Sequence, residues 1–253
     1  MARETRTLSK AFQLLQVLAA HEKDASVKAL HLRTGLPKST IVRLLSTMCA
    51  YGLVIQDQET RRYRLGWTLI FWGQRAKHQC ALPVILKPFI ERLAKETGET
   101  ASLAVLDGFH AVYIEQVMSQ NLVKGVPPVG KPLPLHCTAV GKILLTSFSK
   151  DQIQKFLEEK GLPALTEKTI TDADQLQRML VEVKQHGYAI DDEETEKGGR
   201  CIAAPVFNTY GKIVAALSII GPIHRIKDDK IKDYAALVRR VALEASAYLG
   251  FVP

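Results

Sequence analysis

Between residues 26 and 52, two helical patterns are separated only by Thr34-Gly35-Leu36-Pro37, and nothing else in the 253-residue chain narrows its fold so sharply. Ser26 is placed to cap a short helix carrying Val27, Leu30 and the stem of Leu32. Gly35 can adopt the left-handed conformation that ends a helix and turns the chain. Pro37 suits the first turn of the next helix, where its missing N–H costs nothing. That helix is predicted from Lys38 to Tyr51, with Gly52 as its stop. Ile41, Leu44, Leu45 and Met48 recur at helical spacing and make a core stripe. The opposite face carries Lys38, Ser39, Thr40, Arg43, Ser46 and Thr47, side chains that hydrogen-bond phosphates and base edges. A short helix, a glycine turn and a polar-faced second helix form a helix-turn-helix, whose second helix enters the DNA major groove by its N-terminal residues.

The flanks extend this unit. Upstream, Ser9 is expected to cap a helix with Ala11, Leu14, Leu15 and Leu18 on one face, broken by the polar stretch from His21 to Ala25. Downstream, Leu53-Val54-Ile55-Gln56 and Arg62-Tyr63-Arg64-Leu65 read as a hairpin. Arg61, Arg62 and Arg64 make it a basic wing suited to phosphates. Charge agrees with this. Residues 1–80 hold 13 Lys and Arg against 5 Asp and Glu, whereas residues 81–253 hold 21 of each. The whole formal excess of +8 therefore sits in the first third. A solvated basic face would account for charge alone, but charge, turn and polar helix together favour DNA.

Residues 65–78 have a helical cast. Trp67, Phe71 and Trp72 either bury against a second chain or pack within the domain. Pro83 and Pro88 bracket the start of a helix ending at Thr97-Gly98. Beyond Thr100 the pattern turns to strands. Asp107-Gly108 joins 101–106 to 111–114, and 208–211 join 202–207 to 213–220. Helices are predicted at about 138–147, 151–160, 173–186 and 228–249. The expected organisation is α+β: a winged helix-turn-helix DNA-binding domain over 1–66, a linker helix over 67–80, and a mainly antiparallel sheet with helices over 81–253.

Other classes fit poorly. Arg3, Glu4, Arg6 and Lys10 interrupt the first twenty residues, so no secretory signal is expected. No apolar run approaches the roughly 18 residues a membrane helix needs. Cys49, Cys80, Cys137 and Cys201 show no C-x-x-C pairing, which points to free thiols in a reducing cytoplasm rather than a disulfide framework or zinc ribbon. No P-loop, dinucleotide motif or nucleophile–base set marks an enzyme, and no cofactor is expected.

Several segments resemble the IclR-type transcriptional regulators. In the first third these are Gly35-Leu36-Pro37-Lys38-Ser39-Thr40 with Arg43-Leu44-Leu45, and Tyr63-Arg64-Leu65-Gly66. Later come His136-Cys137-Thr138-Ala139-Val140-Gly141-Lys142, residues 187–194, residues 199–206, and Ala215-Ala216-Leu217-Ser218-Ile219 with Gly221-Pro222. The resemblance implies a GAF-like effector domain behind the linker helix. It implies an operator in double-stranded DNA and self-association into dimers or tetramers. It also implies repression or activation of catabolic genes, repression being the expected case, under a small organic acid. Lys38, Ser39, Thr40, Arg43, Ser46, Thr47, Arg61 and Arg62 are the expected DNA contacts. The resemblance places the effector pocket between the helix after Thr138 and the sheet. Thr138, Ala139, Val140 and Gly141 are expected at the helix start, Leu103, Ser218 and Ile220 on strands, and Asp191, Cys201 and Ala203 in the closing segments.

The residues themselves leave alternatives open. Thr138 can cap a helix whose first amides attract a carboxylate, or simply cap and pack. Gly141 allows close approach of a ligand or of a neighbouring strand. The family often has a serine where this chain has Ile220, which favours a partly apolar ligand. Asp191 to Glu196 holds five carboxylates in six residues, more often a solvated loop than a cation site. His136 is badly placed to activate Cys137, because adjacent strand residues face opposite ways. A metal site using Cys137, Cys201 and Asp191 lacks the usual tight ligand spacing. Two other functions remain to be tested against the regulator: a sequence-neutral architectural DNA binder, and an enzyme with an accessory DNA-binding domain.

Overall fold

The structure, a computed structural model, describes residues 5–21, 23–121 and 127–252. Arg3, Glu4 and Glu22 lie outside them. The chain divides into two compact units, residues 1–80 and 81–253.

The first unit contains α1 (Arg6–Ala19), α2 (Val27–Thr34), α3 (Lys38–Ala50), a hairpin of β1 (Val54–Gln56) and β2 (Tyr63–Leu65), and α4 (Thr68–Gln79). Ser26 caps α2 as expected, its Oγ accepting from the Ala29 N–H at 3.2 Å. Gly35 ends α2 at φ 69°, and its N–H donates to the His31 carbonyl. Ser9 is not a cap. Helix α1 starts at Arg6, and the Ser9 hydroxyl donates back to the Thr5 carbonyl, as a serine one turn inside a helix does. Leu14, Leu30, Ile41 and Leu45 are fully buried at the centre of a small core closed by Val54 and Tyr63. Burying each such side chain contributes roughly 1.5–3 kcal/mol.

The second unit is a six-stranded antiparallel sheet in the order β5-β4-β3-β8-β7-β6. Its strands are β3 (Thr100–Asp107), β4 (His110–Val117), β5 (Pro132–Leu133), β6 (Ala189–Asp192), β7 (Gly199–Phe207) and β8 (Ile213–Pro222). Helices α5 (Ala81–Thr97) and α9 (Ile231–Tyr248) cover one face, where Leu86, Ile90, Leu103, Leu217 and Val238 meet. Helices α6 (Ala139–Leu145), α7 (Lys150–Lys160) and α8 (Ala173–His186) cover the other, where Tyr113, Ile143, Phe156, Leu176 and Ala203 meet. Strand residues alternate between these two cores.

Three expectations change here. Pro83 and Pro88 lie inside α5 rather than bracketing its start. Pro88 is exposed and so is Val84, so the carbonyl freed of its partner can be met by water. Residues 228–230 form a separate 3-10 turn ahead of α9. The acidic stretch is not a solvated loop throughout: Asp191 and Asp192 belong to edge strand β6, and Asp191 and Glu194 are buried.

Candidate nucleic-acid interface and candidate effector cavity

Helix α3 separates its residues by face. Ile41, Leu44, Leu45 and Met48 are buried, while Lys38, Ser39, Arg43, Ser46 and Thr47 are exposed and Thr40 is half-buried. Thr47 donates its hydroxyl to the Arg43 carbonyl at 3.2 Å, so that proton is already used within the helix. Val42, which pattern reading missed, stands 47% exposed in the middle of this polar face. The hairpin turn is tied by Asp57, which accepts from the Thr60 N–H and hydroxyl, both at 2.7 Å. These bonds hold the Asp57 carboxyl below its ordinary range. Arg61 crosses the turn at φ 57° and is exposed, as is Arg62. Arg64 is occupied differently: its guanidinium lies 5.5 Å from the centre of the Trp67 ring. Among the described residues, Lys38, Arg43 and Arg61 have no ion-pair partner, so their charge is available to an anion.

Four aromatic or branched side chains at α4 are left largely uncovered. Trp67, Ile70, Phe71 and Trp72 are each more than half exposed, as are Leu8 and Phe12 of α1.

In the second unit a cavity of about 50 Å³ lies against the α6 side of the sheet. Thr138, Asp191, Cys201 and Ile220 line it, together with Tyr113, Leu133, Thr195, Glu196 and Arg200. The remaining expected residues do not. Leu103 points to the opposite face, into the core under α5 and α9. Ala139, Val140 and Ala203 are buried in packing behind the cavity. Gly141 is tight against its own chain: a Cβ there would stand 2.5 Å from the Leu135 Cα and carbonyl oxygen. Its close approach is to the turn at Leu135 ahead of the helix, not to a ligand. The Gly141 N–H is taken by the Thr138 Oγ at 3.0 Å, and that hydroxyl donates to the Pro134 carbonyl. Ser218 is fully buried directly across from Ser102, and neither hydroxyl has a hydrogen-bond partner among the described residues. Ser218 lies beside the Tyr113 hydroxyl and the Cys201 thiol.

The polar wall is already organised. Asp191 accepts from the N–H groups of Glu194 and Thr195 at 2.8 and 3.2 Å and from the Thr195 hydroxyl at 2.5 Å. Burial nevertheless pushes its carboxyl above the ordinary range. Arg200 is held by Asp192, by Asp228 and by the Ile226 carbonyl. Behind the wall, Lys142 of α6 pairs with Glu194 and donates to the Ile190 carbonyl at 2.8 Å. Burial pushes the Cys137 thiol up to about 12 and Cys201 higher still, so both stay neutral. His136 donates to or accepts nothing from Cys137: its Nε2 faces the Pro163 carbonyl at 3.0 Å, and burial lowers its pKa. That leaves no nucleophilic pair. No cluster of described His, Cys, Asp and Glu residues could hold a metal ion. No described helix is long and apolar enough to cross a membrane.

Comparisons with known proteins cover nearly the whole chain. Residues 7–58 match the IclR helix-turn-helix domain, and residues 74–247 match the bacterial transcriptional regulator IclR C-terminal family. The transcriptional repressor IclR of Escherichia coli K12 is 34% identical over 249 residues, 98% of this chain and 91% of that protein. The crystal structure of Thermotoga maritima IclR superposes with a TM-score of 0.79 at 30% identity, covering 98% of this chain and all of that one. An IclR homolog from Microbacterium hydrocarbonoxydans, solved in complex with 4-hydroxybenzoate, shares the fold with a TM-score of 0.82 at 24% identity, over 96% of this chain and 99% of that one.

Proposed function

The chain belongs to the IclR family of bacterial DNA-binding transcriptional regulators, and on that premise we propose that it is a cytoplasmic repressor whose operator affinity is set by a compact organic acid. The observation that carries this is the exposed face of α3, with Lys38, Ser39, Arg43 and Ser46 outward and no acid paired to its cations among the described residues. Helix α3 reads base edges, and Arg61 and Arg62 of the hairpin hold phosphates. The exposed side chains of α1 and α4 pair two copies, so half-sites lie about one helical turn, or a multiple of it, apart.

The effector occupies the cavity beside Thr138 and Cys201. Its volume of about 50 Å³ takes roughly four water-sized groups, the size of a two- to four-carbon acid. That this fold can carry a small acid is supported by the Microbacterium protein and its 4-hydroxybenzoate. Asp191 is engaged by three donors and Arg200 by two carboxylates, so the Tyr113 hydroxyl, which lies beside Ser218 and Cys201, is the donor we assign to the ligand. The acid acts by binding the DNA-incompetent arrangement more tightly than the competent one.

Fluorescence anisotropy on the DNA upstream of its own gene and on a scrambled duplex tests the reading. Preference for the upstream DNA by about a thousandfold or more at physiological salt is expected. Arg43→Ala should cost about 1–3 kcal/mol on the operator and far less on random DNA. Equal loss on both duplexes would reduce Arg43 to a phosphate contact. Equal binding of the wild type to both would leave an architectural protein.

A further inference from the structure

A larger opening in the second unit lies away from the cavity just described. Strand β6 stops pairing at Ala189, opposite Ala203, so residues 204–207 of β7 run on past its end. Beside that open edge is a groove of about 660 Å³, within the usual size of ligand sites and more than ten times the volume of the cavity beside Thr138. Ile143, Val183, Ala204, Pro205, Phe207 and Ile213 give it an apolar floor. Its rim holds Lys184 from α8, Lys212 from the β7–β8 turn and Arg239 from α9, and no acidic side chain among the described residues lines it. None of the three cations has an ion-pair partner among the described residues.

One cation packs against the backbone. Gly187 ends α8 at φ 71°, and a Cβ there would stand 3.1 Å from the Arg239 Nε and 3.6 Å from its Cζ. The guanidinium therefore lies on the C-terminus of α8. The C-terminus of α6 also borders the groove at Thr146 and Ser147. Two helix ends offset about one unit of positive charge, so about two remain uncompensated.

The edge is unsuited to an added strand. Pro205 has no N–H, and the Phe207 N–H already donates to the Ser246 Oγ at 2.9 Å. Two of the four residues there could give no hydrogen bond to a peptide. We infer that this groove is a second ligand site, taking an organic dianion with an apolar body. It is separate from the effector cavity, with which it shares no lining residue. The two lie at opposite ends of α6, whose cap Thr138 borders the cavity and whose Ile143 and Thr146 border the groove.

The test is calorimetric titration of the full chain with naphthalene-2,6-dicarboxylate, 2-naphthoate and naphthalene-2,6-dimethanol. The dianion should bind about tenfold tighter than the monoanion, the effect of one charged contact, and the neutral diol should give no heat. Replacing Lys184 and Arg239 together by Gln should weaken the dianion by about tenfold or more with the thermal midpoint little changed. Lys212→Gln, in a turn outside every helix, should weaken it in the same direction if the double variant does not fold. Tyr113→Phe, in the effector cavity, should leave it unaffected. The inference fails if the dianion gives no heat at millimolar concentration, or if charge does not matter. It fails equally if the Gln variants bind normally, which would make these cations mere counter-charges to a helix end. Loss on Tyr113→Phe alone would place the probe in the effector cavity and overturn it as well.

Discussion

Lys142→Met should destabilise the second unit severely, although Met fills nearly the same volume. Lys142 and Glu194 leave only 3% and 10% of their side chains exposed. Glu194 Oε1 has Lys142, whereas Oε2 is buried without a partner among the described residues. Removing the ammonium therefore strands a carboxylate in the core and leaves the Ile190 carbonyl without its side-chain donor. Breaking such a pair costs about 3–5 kcal/mol. For a unit of this size each kcal/mol lowers the midpoint by about 2–4 °C, so a fall of roughly 6–20 °C is expected. Scanning calorimetry with parallel tryptophan fluorescence assigns the transition, because both tryptophans, Trp67 and Trp72, lie in the first unit. A shifted calorimetric transition with no matching fluorescence change belongs to the second. Adding Glu194→Gln should recover roughly half of the loss, since it removes the stranded charge. The pH dependence has a definite sign. Burial already raises the Glu194 carboxyl above its unfolded value, and without Lys142 it must rise further. The folded variant then holds a proton that the unfolded chain has released. Its deficit against wild type shrinks as pH falls from 7 toward 5, by at most about 1.4 kcal/mol per pH unit. A loss below about 1 kcal/mol, no rescue by Glu194→Gln, or a deficit equal at both pH values would refute the reasoning.

Two other predictions follow from the sites. Val42→Ala removes the apolar group exposed on the polar face of α3, so, if that face reads bases as proposed, it should lower discrimination at one A·T pair by about 1 kcal/mol, as a lost thymine-methyl contact would. A set of operators substituted one base pair at a time, measured by anisotropy, shows whether any position loses preference. Tyr113→Phe removes a hydroxyl from the lining of the proposed effector cavity while keeping the ring, so it should weaken a small acid by about tenfold without changing ligand-free DNA binding. Titration of a protein–operator complex with short-chain organic acids separates the two effects.

The first unit was readable because its determinants are local. Gly35, Ser26 and the stripe Ile41, Leu44, Leu45 and Met48 each act within one or two helical turns. Even the misplaced Ser9 cap erred by one turn only. The cavity is different, since its wall is assembled by strand register. Tyr113 reaches it through pairing opposite Ala104, and Cys201 through pairing opposite both Asp191 and Ile220. Period-2 alternation says that Tyr113 and Ile114 face opposite ways, but not which of them faces α6. Leu103 was expected at the cavity and lies on the other face for the same reason.

The acidic run from Asp191 to Glu196 failed for another reason, and it shows what pattern reading can still use. Charge counting within six residues suggests solvent, because the cation that lets Glu194 stay buried is Lys142, 52 positions away. Yet Lys142 carried a signal of its own. It stands alone in Ala139–Leu145, a helix otherwise wholly apolar and buried on every side. A lysine there cannot reach water, and an ammonium in a core requires an anion. The sequence position of that anion is unreadable, but its existence is not. The only dense group of carboxylates in the second unit is the run that follows Ile190, and Thr195 within it reaches both Asp191 and the Cys137 carbonyl. The lone charge in an apolar helix thus predicts that part of the acidic run must turn inward, and turning inward is what makes it a cavity wall.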